Sequence, residues 1–190
     1  MTHSQQRMLP LALETMTPAQ RAVADAIMAG PRKGLRGPFN VWLRSPELAD
    51  RLQKVGEYLR FSSSLELRLN EMAILMTAAH WRSPFEWYAH APLAIKAGLA
   101  PETVAAIAAG ERPTTMRPDE AIIWDFCSQL RENRTVSDAT YAAAVAAWGE
   151  RGVVDLIAVN GYYDAVSMTL NIGEVLPPEG AEVPISAPRK

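Results

Sequence analysis

The sequence predicts an all-α domain of about eight helices. Apolar residues recur at spacings of three and four through most of the chain, and no segment alternates apolar and polar residues between turn signals. In addition, a small polar residue followed by proline, a helix-start signal, occurs several times. Together these observations predict one helical domain over residues 17–173, between arms at residues 1–16 and 174–190.

Start and stop signals give the bounds of each predicted helix. Thr17-Pro18, Ser45-Pro46 and Ser83-Pro84 are start signals, Ser62 to Ser64 can cap a further helix, and Gly98 ends the helix after Ser83. The predicted helices cover approximately residues 18–28, 46–59, 65–80, 84–97, 101–109, 118–132, 138–148 and 152–171.

Residues 31–40, PRKGLRGPFN, are rich in Gly, Pro and Arg and are predicted to be a loop. The loop is either a surface connection or a cover over a pocket. In the second case, Arg32, Lys33 and Arg36 could contact an anionic substrate.

Composition excludes several classes of function. The formal net charge is −2, so we expect no nucleic-acid partner and no membrane partner. The single cysteine, Cys127, excludes an intramolecular disulfide, a CxxC redox pair and a cysteine-rich zinc site. Neither a signal peptide nor a membrane span is predicted, and we expect a cytoplasmic protein.

The stretch from Glu71 to Leu99 holds the chemistry-bearing residues of the chain. Within it, Glu86 and His90 are four residues apart on a predicted helix. Side chains at this spacing share a face, with Cβ atoms roughly 5–6 Å apart. The pair can therefore form a hydrogen bond or hold a small substrate.

Three segments of the chain, ELRLNEMAIL, HWRSPFEWYAH and PLAIKAGLAPETVAAI, resemble the carboxymuconolactone decarboxylase family, which includes the AhpD-like alkylhydroperoxidases. The resemblance covers Glu66 to about Gly110, with a looser match in the last helix. It implies an AhpD-like helical fold, a homo-oligomer (commonly a trimer or hexamer) and a site between helices, often near a subunit interface.

The AhpD-like motif is Cys-x-x-Cys-x-x-x-His, preceded by a glutamate that relays protons. By resemblance, Glu71 and His90 match that glutamate and histidine, while Ser83 and Glu86 stand where the two cysteines are expected. Cys127 lies far along the chain and replaces neither. Without a pair of neighbouring thiols, the peroxide-reducing disulfide cycle of that branch has no chemistry available.

Two structural interpretations remain open for the acidic residues. Ser83 and Glu86 have the spacing of a capping box, in which each side chain binds a free backbone N–H at the helix start. Glu71, on an otherwise apolar helix face, needs a partner. That partner is either His90, as the resemblance implies, or Arg68 on the same helix.

Further residues are candidates for substrate binding. Arg82 can hold a carboxylate through two hydrogen bonds, and Asn160 and Tyr163 share a face of the last predicted helix. Trp81, His80 and Ser83 are the remaining candidates, although Trp81 is also a natural core or interface residue. His80, Glu86 and His90 raise the question of a metal, but the two histidines lie on separate predicted helices and HExxH is missing. We predict no metal and no cofactor.

The functional hypothesis is a cofactor-free, carboxymuconolactone decarboxylase-like enzyme that acts on a small organic acid or lactone by proton transfer. His90 is the expected acid or base, Glu86 orients it or shares its proton, Glu71 supports the pair and Arg82 holds the substrate anion. Decarboxylation, isomerisation and lactone opening all fit this set. The alternatives are AhpD-like alkylhydroperoxidase or peroxiredoxin-type antioxidant activity that depends on Cys127, and a non-catalytic ligand-binding oligomer.

Overall fold

The computed structural model describes residues 6–188, which form eight α-helices and no β-strand. The helices are α1 (Pro18–Ala29), α2 (Phe39–Trp42), α3 (Pro46–Phe61), α4 (Leu67–Trp81), α5 (Pro84–Lys96), α6 (Pro101–Ala109), α7 (Pro118–Asn133) and α8 (Asp138–Gly173). The all-α prediction is confirmed. No helix among the described residues has the length and apolar character needed to cross a membrane.

Helix α4 forms the centre of the fold. It packs against α5, α6, α7 and α8, and every residue from Arg68 to Ala78 is buried. A helix that is apolar on all sides is expected in the interior of a protein, and α4 has that character apart from a few polar side chains. Those polar side chains, Glu71 among them, are therefore fixed inside the core.

Local capping agrees with the sequence at α1 and differs at α3, α4 and α5, where Ser45, for example, makes no side-chain capping bond. Thr17 and Gln20 form the capping box of α1. Ser64 does not cap α4, because its backbone N–H and hydroxyl both donate to Asp155, and α4 begins at Leu67. Ser83 makes no side-chain capping bond to α5, so the capping-box interpretation of Ser83 and Glu86 is wrong.

Two parts of the helix pattern differ from the prediction. Helix α2 lies at the end of the predicted loop 31–40, where Phe39 and Trp42 are buried in the core. Tertiary packing stabilises this single turn, which local sequence signals did not reveal. The helices predicted at 138–148 and 152–171 are joined as α8, and the break predicted between them is present as a kink at Gly149 (φ 67°, ψ 176°), a conformation that glycine adopts readily.

Both terminal segments pack on the chain itself over their described parts. The backbone N–H groups of Arg7 and Met8 donate to the carbonyl of Gly173. Near the C-terminus, Ile185 is buried and Arg82 donates to Ser186. The rest of the predicted arms, residues 1–5 and 189–190, lies outside the described residues.

Candidate active site

His90 lies between two buried carboxylates. Its Nδ1 is 2.6 Å from Oε2 of Glu71, and its Nε2 is 2.9 Å from Oε1 of Glu86. All three side chains are almost completely buried. Both ring nitrogens of His90 are thus engaged by acceptors.

The helical hairpin of α4 and α5 brings these residues together. Arg82 ends α4 in the left-handed conformation (φ 49°, ψ 51°), and α5 starts two residues later and packs against α4. Glu86 and His90 meet through their spacing on α5, as the sequence predicts. Glu71 reaches His90 across the hairpin, a contact that helical periodicity alone cannot reveal.

The charge of His90 follows from two opposing effects. Burial alone lowers the pKa of the imidazole, but the negative charges of Glu71 and Glu86 and the hydrogen bonds to them outweigh burial and raise the pKa to about 9. At neutral pH, His90 is therefore an imidazolium that donates one N–H to each carboxylate.

A cavity of about 420 Å³, here called the His90 cavity, opens beside this cluster. Its walls are aromatic and cationic. The lining residues include Arg32, Arg36, Phe39, Arg60, Phe85, Glu86, Tyr88, His90, Tyr162, Tyr163 and Val166.

Among the arginines that line this cavity, Arg32 has buried hydrogen-bond donors without acceptors in the described part of the chain. Its guanidinium lies 4.9 Å from the centroid of the Phe39 ring. Its Nε and Nη2 are buried and have no hydrogen-bond partner within residues 6–188. Burial also lowers the pKa of Arg32. A buried donor without an acceptor is unfavourable, and a bound oxyanion would supply the missing acceptor.

Two tyrosines complete the wall nearest the imidazole. The Tyr163 ring meets the His90 ring edge to face at 5.2 Å, and Tyr162 packs in the same way on Tyr163 at 5.3 Å. Burial raises the pKa of Tyr162 to about 12 and that of Tyr163 well above its usual value. Both phenols therefore keep their protons at neutral pH.

The alternative partner for Glu71 is not used. Arg68 instead pairs with Asp119 and Glu120 at the start of α7. The hydrogen-bond donor to the Glu71 carboxylate is thus His90, as the resemblance implies.

Of the predicted site residues, the structure brings together Glu71, Glu86, His90 and Tyr163. Arg82 does not reach the His90 cavity, because it ends α4 at the surface and its guanidinium bonds Ser186. The expectation that Arg82 holds a substrate anion beside His90 therefore has no geometric support. Arg32, Arg36 and Arg60 are the cations in that place.

Four other candidates also lie outside the wall of the His90 cavity. Trp81 donates its indole N–H to Asp164, and His80 lines a different cavity. Ser83 is fully buried at the start of α5, and its hydroxyl has no hydrogen-bond partner among residues 6–188. Asn160 points into the helix interface, where it binds Arg131, Cys127 and Leu156.

Sequence reasoning missed Arg60 and Tyr162 and noticed Arg32 and Arg36 only as possible loop contacts. Arg60 lies near the end of α3, and no spacing relates it to His90. Tyr162 had a signal that could have found it, since it neighbours the candidate Tyr163. No set of three or more His, Cys, Asp or Glu residues within 6–188 is arranged to hold a metal ion.

Comparisons with known proteins agree with this description. The model of the carboxymuconolactone decarboxylase family matches residues 46–118, which include the hairpin and all three members of the Glu71–His90–Glu86 cluster. No curated protein matches the chain.

A solved structure has the same fold over nearly the whole chain. It is a crystal structure described as the alkylhydroperoxidase AhpD core of an uncharacterized peroxidase-related protein from Ralstonia eutropha JMP134. The TM-score is 0.74 at 13% sequence identity, and the match covers 94% of this chain and 95% of that chain. At this identity the likeness shows the fold alone. The chain therefore has an AhpD-like helical fold, and its residues 46–118 match the model of the carboxymuconolactone decarboxylase family.

Proposed function

We propose that the protein is a carboxymuconolactone decarboxylase-like enzyme that moves a proton to or from a small organic acid or lactone, without a bound cofactor. The observation that carries this proposal is the imidazolium of His90, held between Glu71 and Glu86 at the wall of a cavity. Such a cluster stores a proton beside a carboxylate that can pass it on.

The roles of the two partners differ from the first expectation. Because both nitrogens of His90 are engaged, a substrate reaches neither of them unless a carboxylate moves away. Glu86 lines the cavity, so we assign the exchange with substrate to Glu86 and the storage of the proton to His90. Glu71, behind the ring, fixes its orientation and stabilises its charge.

The same residues serve related reactions. In isomerisation, the Glu86 carboxylate takes a proton from a carbon next to a carbonyl and returns it to another carbon. In decarboxylation, the bond to the carboxylate breaks, CO2 leaves, and the electron pair stays on the neighbouring carbon. That carbon takes a proton from Glu86 while Glu86 takes the Nε2 proton of His90, which solvent later replaces.

The unpaired donors of Arg32 favour an anionic substrate. Its buried Nε and Nη2 lack acceptors within residues 6–188, and Arg36 and Arg60 add positive charge to the same wall. A carboxylate bound there satisfies these donors and leaves the rest of a small substrate beside Glu86. The phenols of Tyr162 and Tyr163 can donate to a carbonyl or enolate oxygen.

No observation favours thiol-dependent peroxidase activity. Cys127 is the only cysteine, it is fully buried, and its sulfur accepts a hydrogen bond from Asn160. Burial raises the pKa of this thiol, which disfavours the reactive thiolate. We expect any peroxide consumption to be unchanged in Cys127→Ser.

The proposal is tested by incubating the protein in D2O with a panel of small carboxylic acids and lactones. NMR detects deuterium entering the substrate, and a coupled assay detects CO2. Glu86→Gln should lower turnover by a factor on the order of 10²–10⁴, because the proton can no longer pass to substrate. Glu102→Gln, the same change at an exposed helix start, is the matched control and should turn over normally.

Turnover that survives in Glu86→Gln would overturn the assignment of Glu86. Ligand binding without exchange or CO2 release across the whole panel would instead support the non-catalytic alternative. The homo-oligomer implied by the family resemblance stays a prediction, which light scattering on the full chain checks.

A further inference from the structure

A second cavity, here called the Arg131 cavity, lies on another side of α4. Its volume is about 540 Å³, and it is bordered by α4, α6, α7 and the C-terminal segment. Its lining residues include Met76, His80, Arg82, Ile107, Trp124, Ser128, Arg131, Glu132, Ile185 and Ser186. None of these residues lines the His90 cavity.

Two guanidinium groups border this cavity. Arg131 donates to Thr77 and Asn160, but its Nε is buried and has no hydrogen-bond partner within residues 6–188. Arg82 donates to Ser186. Among the described residues, neither arginine forms an ion pair with a carboxylate.

The remaining charged groups leave the cavity with a positive balance. Burial and the charge of Arg131 lower the pKa of His80, against a smaller opposite effect from Asp164, so this imidazole is neutral at pH 7. Glu132 is the acidic residue in the lining and is exposed to solvent. Two positive charges therefore face one negative charge.

Apart from Ser128 and Ser186, the rest of the wall is apolar. Met76 and Ile107 are buried side chains of α4 and α6, and Trp124 of α7 packs against the same hydrophobic core. On the remaining side, Ile185 of the C-terminal segment is held in place where the neighbouring Ser186 bonds Arg82. A ligand that fits must combine an anionic group with an apolar body.

We propose that the Arg131 cavity is a second ligand site, which binds a small carboxylic acid with an apolar body. The carboxylate contacts Arg131 and Arg82 beside His80, and the body lies against Trp124 and Ile107. The proposal is independent of the reaction proposed at His90, because the two cavities share no lining residue.

Benzoate is a suitable probe for the full-length protein. NMR follows the His80 ring, and calorimetry measures affinity. Benzoate should shift the His80 resonances and raise the pKa of this imidazole, because a negative charge arrives next to it. Inorganic phosphate, which lacks the apolar body, and benzyl alcohol, which lacks the charge, should each bind about tenfold more weakly or not at all.

Variants assign the binding to one cavity. Arg131→Gln and Arg82→Gln should each weaken the binding seen at His80 by about tenfold or more. Arg82 is exposed, so Arg82→Gln remains informative if the loss of Arg131 disturbs its contacts with Thr77 and Asn160. Arg32→Gln, in the His90 cavity, and Arg21→Gln, on the exposed face of α1, are controls that should leave the His80 shift unchanged.

Two results would overturn the proposal. One is a His80 titration that is the same with and without saturating benzoate. The other is benzoate binding, followed at His80, that is as tight in Arg82→Gln and in Arg131→Gln as in the wild type. Equal binding of phosphate and benzoate would contradict the role of the apolar wall and reassign the site to inorganic anions.

Discussion

Helix α4 carries two buried charge networks only three residues apart, one centred on Arg68 and the other on Glu71 and His90. Arg68 binds Asp119 and Glu120, which ties α4 to the start of α7. His90 binds Glu71 and Glu86, which ties α4 to α5. In both networks, one cationic group lies between two carboxylates, and Arg68 has a third, the exposed Glu66, at 3.6 Å.

The networks differ in what lies beside them. The guanidinium of Arg68 joins two helices. Burial lowers the pKa of Arg68, but the hydrogen bond to Asp119 and the charge of Asp119 outweigh burial and raise it, so Arg68 stays a cation. His90 is a cation that titrates, and Glu86 presents its carboxylate to a cavity. Burial and charge therefore do not identify a functional site by themselves. A group that can exchange a proton and a space for a substrate are also needed.

The largest expected effect comes from removing the Arg68 cation, which tests whether the Arg68 network is structural. Arg68→Met removes the closest cation from two carboxylates, and the buried one, Glu120, keeps only its contacts with Arg117. We expect a loss of about 3–5 kcal/mol in the free energy of unfolding, measured by urea denaturation. The folded fraction should keep its His90 titration. A loss of less than about 1 kcal/mol would contradict a structural role for this network.

The His90 network should instead make stability depend on pH. Because the pKa of His90 in the folded protein is about 9, above the ordinary value of 6.5, its contribution is fully present below pH 6.5. It is lost as the pH rises through about 9, and the total is about 3 kcal/mol. Urea denaturation from pH 6 to 10 measures the loss.

His90→Gln should remove this loss over the same pH range, and His80→Gln is the matched control that should retain it. If wild type and His90→Gln lose stability in parallel as the pH rises, the imidazolium is not the source of the dependence.

A smaller effect distinguishes the contributions of Glu71 and Glu86 to the pKa of His90. Both Glu71→Gln and Glu86→Gln should lower the pKa of His90, because each removes one of the charges that raise it. The fall should be larger in Glu71→Gln, whose charge contributes more. NMR titration of the ring measures both, and an equal pKa in wild type and either variant would contradict the coupling.

Some contacts of these residues are predictable from the sequence, and others depend on how the helices pack. The pairing of Glu86 with His90 follows from four-residue spacing, and the starts of α1, α3 and α5 follow from Thr-Pro and Ser-Pro signals. The contact between Glu71 and His90 depends on how α4 and α5 pack, so only the family resemblance predicted it. Arg82 is adjacent to the motif in the sequence, but the turn that ends α4 directs its side chain to Ser186. Neighbours in the sequence at a helix end are not neighbours in the site.

The smallest predicted effect concerns the position of the Arg32 guanidinium in the wall of the His90 cavity. A Cβ added at Gly56, on α3, would lie 2.1 Å from Oη of Tyr162 and 2.5 Å from Nη2 of Arg32. Gly56→Ala must therefore move the Tyr162 phenol and the Arg32 guanidinium away from their positions. We expect the KM for a carboxylate substrate to rise about tenfold with a smaller change in kcat, because Glu86 and His90 are untouched.

Gly161→Ala on α8 is the matched control, since nothing lies within 4 Å of the added Cβ. It should leave KM unchanged and stabilise the protein by up to about 1 kcal/mol through helix propensity. If Gly56→Ala has the same gain and an unchanged KM, Arg32 does not hold the substrate anion. The cationic wall would then resemble the Arg68 network, a structural feature beside the site and not a part of it.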